Sequence, residues 1–147
     1  MTNKFDIEEE NKDIVRRYKA LLRSCNSEIT REDKKLIRKA FNLAVDAHKD
    51  VRRKSGEPYI FHPIAVAQIV AKDIGLDATS IACALLHDVV EDTNFTLTDI
   101  EKIFNPKIRK IIDGLTKISG FSEQDISFQA ENFRKMLLTI SDDVRVI

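Results

Sequence analysis

Apolar residues recur along this chain at spacings of three and four, and that period constrains the fold more than any other feature. Ile7, Ile14, Val15, Tyr18, Leu21, Leu22 and Cys25 follow helical spacing with Glu and Lys between them. Thr30 with Asp33 reads as a capping box ahead of a second stripe, Leu36, Ile37, Ala40, Phe41, Ala44 and Ala47. The pattern breaks at KDVRRKSGEPYIF, where Ser-Gly and Glu-Pro are loop dipeptides. Pro63 suits the first position of a helix, so His62 is expected as the N-cap of a third helix, PIAVAQIVAKDI, stopped by Gly75. A fourth helix is expected from about Ala78 to Glu91, with Asp77 or Thr79 near its start. Thr96 and Asp99 cap a short helix ending near Phe104, and Pro106 opens another through Ile108, Ile111, Ile112 and Leu115. After the loop SGFSEQDIS, a last helix carries Phe128, Phe133, Met136, Leu137 and Ile140. No strand-like alternation competes, and four Gly and three Pro leave little material for many turns. The prediction is an all-α domain.

Several classes of function are disfavoured at once. The 147 residues suit one domain, and 43% hydrophobic with 33% charged residues is a folded, globular balance. The acidic start, MTNKFDIEEE, is no signal peptide, and no apolar run reaches membrane-spanning length. Cys25 and Cys83 lack metal or redox spacing, which suits a reducing cytoplasm. Twenty-four basic and 24 acidic side chains cancel, so nothing attracts nucleic acid globally. An anionic ligand must be held by a local cluster.

The stretch ALLHDVVEDT is the place to look for one. On a single helix His87 and Glu91 share a face, as do Asp88 and Asp92. Buried acids are costly unless something answers them, and an imidazole with carboxylates suits a divalent ion such as Mn²⁺. His62 is the best placed residue to add a second imidazole. From spacing alone, a helix end in solvated acids is an equally good reading. The basic run Lys49, Arg52, Arg53 and Lys54 reads by itself as a solvated loop rim. His48 follows Ala44 and Ala47 on an apolar face, where one hydrogen bond in or around the core usually satisfies it.

Several motifs in order resemble the hydrolase half of the RelA/SpoT homologue family: RRKSGEPYI at 52–60, HPIAVA at 62–67, ALLHDVVEDT at 84–93, DGLTK at 113–117 and QAENFRKM at 129–136. The resemblance implies an HD-domain helical bundle that removes the 3′-pyrophosphate from guanosine tetra- or pentaphosphate, (p)ppGpp, in the stringent response, using Mn²⁺. Carried over residue by residue, His62, His87 and Asp88 match metal ligands. Glu91 and Asp92 match the acidic pair that handles the attacking water and its protons, and Arg53 and Lys54 match the residues that hold the guanine nucleotide. The implied organisation is a helical lead-in over 1–30 and an HD-type hydrolase domain over 31–147, with a synthetase domain expected downstream as partner, in the cytoplasm.

This chain departs from the family pattern at Lys49-Asp50-Val51, where Gly-Gln is usual, and at Phe104-Asn105, where the family has Phe-Gly. The family's last metal-binding Asp lies in a motif like LADRLHNM, expected after a segment such as Asp143 to Ile147. The apolar ending Val146-Ile147 accordingly reads as a cut inside a larger protein, with low turnover expected of this chain alone. The rival reading is a non-catalytic nucleotide-binding or regulatory module of a (p)ppGpp synthetase.

Overall fold

The computed structural model describes residues 4–25, 29–49, 51–53, 56–74 and 78–116. Among them run α1 (Lys4–Ser24), α2 (Arg31–Ala47), α3 (Phe61–Ile69), α4 (Ala78–Leu86), α5 (Val89–Asp92), α6 (Leu97–Ile103) and α7 (Pro106–Thr116). A π-helical turn, Val70–Ile74, continues α3. Among the described residues the one β-type pairing is an isolated bridge between Arg52 and Pro58. The all-α prediction holds.

Local chemistry starts the helices where the sequence says it should. The Thr30 hydroxyl accepts the N–H of Asp33 at 3.0 Å, and Asp33 Oδ2 accepts the N–H of Thr30 at 3.0 Å. This reciprocal cap satisfies two donors that have no partner inside α2. Thr96 and Asp99 repeat the arrangement at 3.0 and 3.1 Å for α6. Asn105, where the resemblance leads one to expect glycine, accepts the N–H of Ile108 on its side chain at 2.8 Å and so starts α7.

The core is organised around α4, in which Ile81 to Leu86 are at most 2% exposed. A helix apolar on every side can only be central. It packs against α2, α3 and α7, and α2 contributes Ile37, Ala40, Phe41 and Ala44. The α1 stripe docks only in part. Tyr18 and Leu21 are buried, with the Tyr18 ring stacked 4.1 Å from Phe41 and the Arg17 guanidinium 4.0 Å above Phe61. Ile7 and Val15 stay 45% and 47% exposed, Val15 bordering a groove with Ile14, Phe41 and Val45.

Two expectations are corrected. His62 is not an N-cap: α3 begins at Phe61 after Ile60, which makes no side-chain cap. The turn ahead of it already supplies acceptors, since Tyr59 O takes the N–H of His62 at 3.0 Å, so His62 lies inside the first turn. The expected helix from Ala78 to Glu91 is two helices with a turn at His87 and Asp88. In an unbroken helix the carbonyl of Ala84 serves the N–H of Asp88. At this turn that carbonyl accepts Nδ1–H of His87. The loop SGFSEQDIS, the last predicted helix and the segment from Asp143 to Ile147 lie outside the described residues.

Candidate metal site

The first turn of α3 and the turn after α4 are brought together by the packing of those two helices. One donor atom from each of His62, His87 and Asp88 falls within 4.8 Å of the others. All three residues are buried, at 4%, 2% and 0% exposed, and the two imidazoles tilt at 49° with centroids 6.1 Å apart.

Hydrogen bonding prepares this trio for a cation. A carbonyl oxygen only accepts, so Nδ1 of His87, against Ala84 O, carries the ring proton. That leaves Nε2 to offer a lone pair or to bind a second proton. Nε2 lies 3.0 Å from Asp88 Oδ2, a separation that only a shared positive charge makes favourable. Asp88 Oδ2 also accepts the Tyr59 hydroxyl at 2.9 Å, while Oδ1 is buried and meets no hydrogen-bond donor among the described residues. Burial, the largest single influence, raises the Asp88 pKa. The charge and hydrogen bond of His87, the Tyr59 hydroxyl and the charge of His62 together outweigh it and hold the carboxyl below its ordinary value. A charged, buried carboxylate with one oxygen unsatisfied, facing two imidazoles, fits a divalent ion bound by mixed nitrogen and oxygen donors.

The remaining predicted residues fare differently. Glu91 is exposed on α5, one turn beyond the trio rather than within it, and Asp92 ends the same short helix. Arg53 sits in a short hairpin closed by Tyr59 N–H to Val51 O at 3.0 Å, Arg53 N–H to Glu57 O at 3.0 Å and Gly56 N–H to Arg53 O at 2.8 Å. Gly56 has φ +94°, the left-handed region that favours glycine, which explains the Ser-Gly signal. Lys54 lies outside the described residues. Arg52, from the run that by itself reads as a solvated loop rim, grips Glu10 of α1 through two bonds of 2.8 Å and closes on Gly56 O at 2.7 Å.

Tyr59 is the residue that sequence reasoning did not single out. Its ring stacks on buried His48 at 4.8 Å, tilts against His62 at 6.0 Å and lies 5.7 Å below the Arg53 guanidinium. A tyrosine in a loop three positions before a histidine carries no signal of its own; the packing reveals it. His48 keeps the supporting place expected of it, with Nδ1 3.1 Å from Ala44 O.

The chain matches the HD domain family over residues 40–147, a stretch that contains the whole trio. It belongs to the HD domain family. Among curated relatives, the HD chain is 48% identical over 113 residues, 76% of its length, to a probable guanosine-3′,5′-bis(diphosphate) 3′-pyrophosphohydrolase of Synechocystis sp.. It is 45% identical over 114 residues, 77% of its length, to the bifunctional (p)ppGpp synthase/hydrolase SpoT of Escherichia coli. It is 46% identical over 113 residues to a GTP pyrophosphokinase rsh of Brucella melitensis. The chain spans 15% of the Synechocystis protein and 16% of the Escherichia coli one. Among the described residues, no helix is long and apolar enough to cross a membrane.

Proposed function

We propose that this HD domain is the hydrolase portion of a manganese-dependent (p)ppGpp 3′-pyrophosphohydrolase, releasing GDP or GTP and pyrophosphate. The buried cluster of His62, His87 and Asp88 carries the reading. The names of the Synechocystis and Escherichia coli relatives support this substrate. Residues 1–30 serve as the helical lead-in and 31–147 as the hydrolase domain. The synthase half of the Escherichia coli name supports a synthetase domain as partner, and the cytoplasm as location accords with isolated, reduced cysteines.

Mn²⁺ bound at the trio supplies charge neutralisation and a water of lowered pKa. The protein's own work is to hold and to move protons. His87 presents Nε2 because its Nδ1 is committed to Ala84, and Asp88 presents a carboxylate held at Oδ2 by the Tyr59 hydroxyl. Glu91, one turn along and open to solvent, takes the proton of the attacking water as the 3′ P–O bond breaks. Asp92 shares that proton balance. Arg53 offers a planar guanidinium for stacking and ion pairing with the nucleotide, and Lys54 a point charge for phosphate.

The exposure of Glu91 favours one rival, a nucleotide-binding module without turnover. Incubation with Mn²⁺ and ppGpp, followed by anion-exchange chromatography, separates the two. The assay uses this chain, the same chain joined to the downstream motif that the resemblance expects, and His87→Ala/Asp88→Ala in each. GDP and pyrophosphate formed only with the intact pair support the hydrolase. Nucleotide binding without products in both lengths makes the module the better reading.

A further inference from the structure

Tyr59 has more contacts than its place in a loop requires. Stacking on His48 already accounts for the partial burial of its ring. The hydroxyl, which water satisfies readily at a half-buried site, instead reaches across to a carboxylate that is fully buried. That bond occupies one oxygen of Asp88 and leaves the other without a hydrogen-bond donor among the described residues. At the other end, the backbone N–H of Tyr59 closes the hairpin on Val51 O, and its ring lies beneath Arg53. One side chain therefore touches both the loop expected to hold nucleotide and a residue expected to hold the ion.

We infer that Tyr59 is the positioning residue of the metal centre: its hydroxyl orients the Asp88 carboxylate toward the ion, and its ring ties the Arg53 hairpin to that orientation. The inference rests on the metal reading above and names a residue that reading does not contain. Without the hydroxyl, the carboxylate is free to rotate toward His87 alone, and the ion loses a preset donor. Removing such an outer partner of a metal ligand typically weakens metal binding about 10- to 100-fold.

The test is Mn²⁺ titration followed by electron paramagnetic resonance, which counts free ion and needs no turnover. It compares this chain, Tyr59→Phe, Tyr59 replaced by 3-fluorotyrosine, and His87→Ala/Asp88→Ala. Thermal unfolding of the metal-free proteins serves as the control for packing. The expected result is about ten-fold or greater loss of affinity in Tyr59→Phe, with a melting temperature close to wild type, and a smaller but measurable change of affinity with the fluorinated ring. Wild-type affinity in a folded Tyr59→Phe overturns this inference and leaves the metal reading intact. If Tyr59→Phe unfolds, the fluorotyrosine chain decides: its stronger hydroxyl donor must alter Mn²⁺ affinity, and an unchanged affinity overturns the inference. Failure of the wild-type chain to bind Mn²⁺ above the level of His87→Ala/Asp88→Ala sinks the metal reading itself.

Discussion

Nε2 of His87 lies 3.0 Å from Oδ2 of Asp88, its neighbour in the chain. Adjacent side chains on an unbroken helix diverge by about 100°, so this meeting depends on the turn between α4 and α5. Because both groups are buried with His62, saturation with Mn²⁺ is expected to raise the melting temperature by several degrees. Ligand at 100 times its Kd stabilises a fold by about 2.7 kcal/mol. Asp88→Asn keeps the shape and removes the charge, and differential scanning calorimetry should then show no rise.

The Arg52–Glu10 contact predicts a pH effect on the hairpin. A hydrogen bond from Arg52 holds the Glu10 carboxyl below its ordinary value of 4.5, with the Arg52 charge acting in the same direction against slight desolvation. A depressed folded pKa means the contribution is present above about that value and is lost as pH falls through the lower, folded one. Amide exchange of Val51, Arg52, Arg53, Gly56, Glu57 and Tyr59, corrected for its intrinsic pH dependence, should quicken as pH drops from 5 toward 3. Glu10→Gln should exchange quickly at both pH values, because the bidentate pair is gone.

Asn105 stands where the family resemblance expects glycine, and its side chain caps α7. An N-cap Asn replaced by Gly typically costs a few tenths of a kcal/mol, against about 1 kcal/mol for Ala. Urea unfolding should rank wild type, Asn105→Gly and Asn105→Ala in that order. Equal midpoints for all three would remove the cap from the account.

Leu85 is fully buried in α4 among helices α2, α3 and α7. Leu85→Ala is expected to cost about 2–5 kcal/mol through lost burial and the cavity left behind. Ile7→Ala, at a residue 45% exposed on α1, should stay within about 0.5 kcal/mol of wild type. Denaturant midpoints measure both.

Local rules were enough for much of this protein. The capping boxes at Thr30–Asp33 and Thr96–Asp99 are contained in four residues each, so the sequence alone set those helix starts. The α2 stripe is a matter of period, and Ile37, Ala40, Phe41 and Ala44 went inside as written. Order and spacing of motifs also picked out His62, His87 and Asp88, which the fold gathers. Tertiary structure decided what depends on partners distant along the chain. His87 and Asp88 form a turn between α4 and α5, which period does not express. Glu91 is exposed on the short helix that follows that turn. Tyr59 bonds to Asp88, and Arg52 to Glu10, because packing fixes where unrelated segments meet. Short-range hydrogen bonding and periodicity are written into neighbouring residues; the direction of a buried polar side chain is settled only by the groups that surround it.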